Sequence, residues 1–143
     1  MSPRYDVDWI DKLLDTSSRF GSIRPEDLLV RSGLDDGHIV ADLGCGPGLL
    51  AFAASSIVGQ KGKVYAVDIE PKMTDMVRTR AEQEGAGNIV TVLSTGDSIP
   101  LADELADYVI CSQVLHYPDV WEERVKIVRE AARILRPNGR VLI

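Results

Sequence analysis

The sequence predicts an α/β fold built on a doubly wound, mostly parallel sheet with helices on both faces. Three observations predict it. Segments of helical and of strand character alternate along the chain, the pattern of successive βαβ units. The apolar run Val40-Ala-Asp-Leu43 passes straight into Gly44-Cys-Gly-Pro-Gly48, a buried strand ending on a glycine-rich turn. About twenty residues later, Val64-Tyr-Ala-Val-Asp68 reads as a second buried strand that ends on a single carboxylate.

The residues justify each element in turn. Val7 to Leu14 carries Trp9, Ile10, Leu13 and Leu14 on one side and predicts an N-terminal helix. A second helix runs from Pro25, a residue suited to a first helical turn, to about Ser32, and Gly33 ends it. Residues 1–36 thus form a helical segment ahead of a core at 37–143, all in one domain. The first core strand is Ile39 to Leu43, and a helix follows the glycine turn from Leu49 to Val58, with Gly59 as its stop. Lys63 to Asp68 is the second strand. Pro71 opens a helix to Glu84 with Met73, Met76, Val77 and Ala81 as its apolar stripe. Ile89 to Leu93 and Asp107 to Cys111 are the third and fourth strands. The next helix has Asp119 and Glu122 at capping-box spacing, then a stripe of Trp121, Val125, Val128, Ala132 and Leu135. Pro137-Asn-Gly139 breaks it, and Arg140 to Ile143 opens a fifth strand.

The glycine spacing narrows the ligand. Gly44, Gly46 and Gly48 form G-x-G-x-G, whereas the third glycine of a dinucleotide turn would fall at Leu49. Pro47 removes one backbone N–H that a pyrophosphate would use. A nucleoside ligand with a sugar and a small zwitterion, but no phosphate, suits this turn. Its ribose hydroxyls would lie on Asp68, whose carboxylate accepts two hydrogen bonds at once. S-adenosylmethionine is such a ligand.

Four blocks then carry a resemblance: Val40 to Gly48, Val64 to Ile69, Gly96-Asp-Ser98 followed by Leu101 to Cys111, and Leu135 to Ile143. On these blocks the chain resembles the class I S-adenosylmethionine-dependent methyltransferases, and among them the ubiquinone and menaquinone C-methyltransferases. The resemblance runs from Ile39 to Ile143. It implies a Rossmann-like methyltransferase fold with seven strands in the order 3-2-1-4-5-7-6. The last two strands have no counterpart here, which leaves the fifth as an apolar edge: the expectation is either a fragment of a longer protein, its core C-terminally incomplete, or a chain that pairs with a copy of itself through that edge.

The resemblance also implies roles. Asp42 lies near the methionine ammonium or orders the glycine turn; the plain alternative is local capping of backbone N–H groups. Gly44, Cys45 and Gly46 face the methionine part. Ile69 walls the adenine. Gly96, Asp97 and Ser98 recognise it, unless they are an ordinary Gly-Asp-Ser turn. Ser112, Gln113, Leu115 and His116 border the methionine end, where His116 is either a general base or a residue packed under the loop. Tyr5, Trp9 and Phe20 are either part of a lid or the apolar side of a docking helix. Ser112-Gln-Val-Leu115 stands where an Asn-Pro-Pro-Tyr type tetrapeptide serves amino methylation of DNA bases or glutamine, which argues against those acceptors. The reaction implied is methyl transfer to a small-molecule acceptor.

Composition bounds the rest. The chain has 143 residues, 45% hydrophobic and 27% charged, with net charge −6. That acidity disfavours a nucleic-acid partner. No apolar run approaches the roughly 20 residues of a membrane span, and Met1 to Asp11 has no apolar signal core, so the expected location is cytoplasmic. Two cysteines and two histidines without ligand spacing predict neither a structural disulfide nor a metal site. Two other readings stand beside the methyltransferase: a nicotinamide-dependent oxidoreductase, which fails on glycine spacing, and a non-catalytic cofactor-binding module.

Overall fold

The computed structural model describes residues 20–95, 97–112 and 121–143. The expected helix at Val7–Leu14 and the proposed cap at Asp119 lie outside them. Pro25 sits at the first position of α1 (Pro25–Arg31), where its missing N–H costs nothing. The apolar runs expected as strands become β1 (Ile39–Leu43), β2 (Lys63–Asp68), β3 (Ile89–Leu93) and β4 (Ala106–Ile110). Between them lie α2 (Leu49–Val58) and α3 (Pro71–Glu84), stopped by Gly59 at φ 65° and Gly85 at φ 67°. After β4 come α4 (Trp121–Ile134) and β5 (Leu135–Leu142).

The strands form one parallel sheet in the order β3-β2-β1-β4-β5. Asp42 of β1 lies between Ala66 of β2 and Ile110 of β4. The period of two along each strand supplies two cores. Val40, Val64, Tyr108 and Ile110 face α1, α2 and Val77 of α3. Ala41, Leu43, Val67 and Val109 face Ala131 and Ile134 of α4 and the loop residues Ile99, Leu101 and Leu105. Helices on both faces make the sheet doubly wound, as expected.

Side chains tie the layers together. Ser32, at the end of α1, shares a short hydrogen bond with the buried hydroxyl of Tyr108 on β4. Asn88, at the entry to β3, donates to Ser55 O at 2.9 Å and Gly59 O at 3.0 Å and accepts from Ser55 Oγ at 2.5 Å. It thereby fixes the end of α2 against the sheet.

Three expectations need correction. The fourth strand begins at Ala106, one residue early, and Cys111 follows it, although its N–H still donates to Leu142 O at 2.8 Å. The fifth strand begins at Leu135 instead of Arg140. Ala106 pairs with Leu135 and Tyr108 with Arg140, so Arg136 to Gly139 bulge out of the ladder, with Asn138 at φ 66°. Arg136 holds the bulge by donating to Asp107 Oδ1 at 2.8 Å and Leu105 O at 2.9 Å. Finally, the expected stripe on α4 is not its buried face: Trp121 is 71% and Val128 50% exposed, while Ala131 and Ile134 are buried. Polar bonds from Glu130 and Arg133 to the β3–β4 loop select that rotation.

Candidate active site

The order β3-β2-β1-β4-β5 reverses direction between β1 and β4, and in open α/β sheets the crevice that takes a ligand lies at such a switch point, outside the carboxyl ends of the strands. The glycine turn fills its floor. Gly44, Gly46 and Gly48 have φ of 69°, 54° and 100°, left-handed values that L side chains adopt at a cost. Cys45 N–H donates to Val67 O at 2.9 Å and sews the turn to β2. A Cβ on Gly48 would stand 3.0 Å from the Phe52 ring and 3.1 Å from Val77, so this glycine lets α2 and α3 close on each other.

Asp68 ends β2 beside this turn and is 8% exposed. Its Oδ2 accepts the Gly46 N–H at 2.9 Å, and its Oδ1 accepts the Glu70 N–H at 3.0 Å. One carboxylate thus bridges the glycine turn and the start of α3. Burial pushes its pKa up, against the lowering effect of those backbone donors. Asp42 is buried one strand over. Burial, then the charges of Asp42 and Asp68, push the Cys45 thiol far up. Burial and Asp42 push Cys111 up to about 12. Both thiols are free, and the Cys45 Sγ–H lies 3.4 Å from Gly46 O. Where ionised, Asp42 and Asp68 give this end of the sheet a negative potential that favours a cationic ligand.

The remaining candidates sit around this floor. Ile69 is 46% exposed at the end of β2, an apolar surface beside Asp68. The turn after β3 starts at Ser94, whose N–H donates to Asp68 O at 2.9 Å. Within the turn, Thr95 Oγ1 accepts the Ser98 N–H at 3.1 Å. The Asp97 side chain is 79% exposed and bonded to Lys126 Nζ at 2.5 Å, which holds its pKa down. Ser112 follows β4 at the crevice edge, half-buried. Gly96, Gln113, Leu115 and His116 lie outside the described residues. Among the described residues, no group of three His, Cys, Asp or Glu side chains is placed to hold a metal, and no helix is long and apolar enough to cross a membrane.

Sequence reasoning missed the two backbone bonds of Asp68 and the contacts of α4 with the β3–β4 loop. The available signal for the second was the charged stripe Lys126, Glu130 and Arg133, at steps of four and three on one helix side.

Closely approachable backbone, a two-oxygen acceptor, an apolar wall and negative potential fit a nucleoside that carries a sulfonium and an ammonium. The sequence profile of the methyltransferase domain family matches residues 41–143. A solved S-adenosylmethionine-dependent methyltransferase from Aquifex aeolicus superposes with TM-score 0.81 at 31% identity, over 94% of this chain and 69% of that one. The chain belongs to the S-adenosylmethionine-dependent methyltransferases. This methyltransferase domain is also 34% identical over 113 residues to the ubiquinone/menaquinone biosynthesis C-methyltransferase UbiE of Vibrio vulnificus, covering 78% of this chain and 42% of that protein. It is 35% identical over 107 residues to an arsenite methyltransferase of Halobacterium salinarum, covering 75% of this chain and 27% of that protein. The chain therefore spans less than half the length of these curated relatives. Family membership sets aside the nicotinamide-dependent oxidoreductase.

Proposed function

We propose that this methyltransferase domain binds S-adenosylmethionine in the β1/β4 crevice and serves methyl transfer to a small organic acceptor. The observation that carries the reading is Asp68, a buried carboxylate bonded to the glycine turn and the α3 turn at once. A carboxylate has about four lone-pair sites, so both backbone bonds leave acceptor capacity for ribose hydroxyls. Gly44, Cys45 and Gly46 would line the methionine part, with Asp42 supplying the field that holds its ammonium. Ile69 would face the adenine, and Asp97 and Ser98 would border its edge.

The cofactor supplies a methyl group already activated on a sulfonium, with a good leaving group behind it. The chain's own task is therefore proximity and alignment. The rigid glycine turn and the Asp68 bridge fix the sugar, and the Asp42 field fixes the ammonium end. A proton acceptor is needed only for an acceptor that must first lose a proton, and His116 is the candidate for that role.

Two relatives point to different acceptors, a quinone precursor and arsenite. Arsenite is thiophilic and prefers thiolates. Cys45 and Cys111 of this domain are both buried and held protonated, which makes them poor thiolate ligands for arsenite, and we take an organic acceptor as the reading.

Calorimetry with S-adenosylhomocysteine and NAD tests the cofactor. Micromolar binding of the first with much weaker binding of the second supports the reading, and equal affinity or a preference for NAD overturns it. Transfer of label from methyl-labelled cofactor to fractionated small molecules, lipids and proteins tests the acceptor class, and label found only on protein refutes it.

A further inference from the structure

We propose that Arg133, on α4 and away from the crevice, is a positioning residue for the adenine side of the cofactor site. The proposal rests on the reading above that the turn after β3 borders the adenine. Among the described residues that connection contains no helix: from Ser94 to Leu105 the chain crosses the sheet as irregular backbone. Its internal bonds are few, chiefly the Thr95–Ser98 turn and a Leu101 N–H to Ile99 O contact of 2.8 Å. Something outside it must set its path.

The Arg133 guanidinium does so. Its five N–H groups find five acceptors. Nε donates to Glu130 Oε1 at 2.9 Å. Nη1 donates to Leu101 O at 2.7 Å and Asp103 Oδ1 at 2.8 Å. Nη2 donates to Ile99 O at 2.9 Å and Glu130 Oε2 at 2.8 Å. Glu130 Oε2 in turn accepts the Ile99 N–H at 2.9 Å. Both backbone groups of Ile99 are therefore held by this one side-chain pair. The Arg133 carbonyl also accepts the Glu104 N–H at 2.9 Å. About two turns earlier on the same helix, Lys126 holds Asp97.

The loop is pinned at both ends of a short reach. At one end Ser94 N–H is bonded to the backbone of Asp68, the expected ribose acceptor. At the other, Ile99 is bonded to Arg133 and Glu130. Thr95, Asp97 and Ser98 lie between these two anchors, so the guanidinium, together with the Lys126 bond to Asp97, sets where they sit. A lysine cannot replace it, because an ammonium is a point donor without the fork that reaches two carbonyls and two carboxylates together.

The experiment titrates the intact chain with S-adenosylhomocysteine and with its inosine analogue, in which oxygen replaces the 6-amino group. The wild type should prefer the adenine ligand. Arg133→Met should weaken S-adenosylhomocysteine by about tenfold or more, the scale of losing one or two hydrogen bonds, and shrink that preference towards unity. Arg133→Lys should fall between, and it carries the same comparison if Arg133→Met fails to fold. Glu130→Gln should shift the preference in the same direction. A folded Arg133 variant that keeps both affinity and preference overturns the proposal. So does one that weakens both ligands equally, which is the mark of general destabilisation. A wild type that binds neither ligand, or binds both alike, defeats the adenine-side reading itself, and the proposal falls with it.

Discussion

Replacing Gly48 by alanine tests the glycine turn at its tightest point. Two costs are separable. First, Gly48 has φ of 100°, and a left-handed backbone costs an L residue about 1–2 kcal/mol. Second, the new methyl would lie 3.0 Å from Cδ2 and Cε2 of Phe52 and 3.1 Å from Cγ2 of Val77. Neither neighbour yields easily. The Phe52 ring carries the Arg80 guanidinium 3.9 Å from its centroid, and Val77 is fully buried. Overpacking of this kind costs about 1–3 kcal/mol. The sum is about 2–5 kcal/mol, or a Tm lower by about 4–20 °C for a domain near this size. Gly85→Ala is the control. Gly85 has φ of 67° and nothing within 4 Å of an added Cβ, so only the backbone cost of about 1–2 kcal/mol applies. Thermal and denaturant unfolding of the two variants should therefore separate them. If both lose the same stability, close packing of α2 on α3 at Gly48 is refuted.

Asp68→Asn should weaken S-adenosylhomocysteine binding by about 1.5–3 kcal/mol, the scale of hydrogen bonds to a charged group, measured by calorimetry on folded protein. Because burial raises the Asp68 pKa in the folded chain, the native state holds that proton more tightly than the unfolded chain does. Ionised Asp68 therefore costs stability at neutral pH, and wild type should gain on Asp68→Asn as pH falls through the raised pKa, followed by urea midpoints from pH 7 towards 4. Asn88→Ala removes three hydrogen bonds that anchor the end of α2 and should cost about 1–3 kcal/mol, with an unchanged m-value. With Cys111 pushed up to about 12, its thiolate at pH 8 should be about a thousandfold scarcer than in an unfolded chain, so alkylation should be slow until denaturant is added. Bound cofactor should slow alkylation of Cys45 further, and rates indifferent to cofactor would count against its place in the crevice.

Much of the fold could be read in the residues because its strands are short, continuous apolar runs punctuated by glycine and proline. Gly48, Gly59 and Gly85 stand where left-handed backbone is needed, and Pro25 and Pro71 where a helix starts. Where the reading failed, distant partners decided. The helix α4 carries two apolar stripes, and the one containing Trp121 and Val128 is the longer in sequence. Bonds from Glu130 and Arg133 to a loop some thirty residues away turn the other stripe inward. Pro137-Asn-Gly139 is a sound turn signal, yet it marks a bulge inside β5, because Leu135 pairs with Ala106 before it and Arg140 with Tyr108 after it. At the candidate site, the place of Asp68 at a strand end was legible. Its bond to Gly46, 22 residues away, was not, since backbone N–H groups leave no trace in residue type.

The place of β1 in the middle of the sheet has a kinetic consequence. Its neighbour β4 comes from far along the chain, and the Ile39 N–H that helps seat it bonds to Asp107, 68 residues away. Closing so long a loop is slow relative to forming the nearby β1–β2 and β2–β3 pairings. The crevice between β1 and β4 therefore exists only after the most distant pairing has formed. A ligand that needs both walls binds after the rate-limiting closure and leaves the refolding rate nearly unchanged. It should instead slow the escape from the native state, so that cofactor makes the domain longer-lived without making it quicker to assemble.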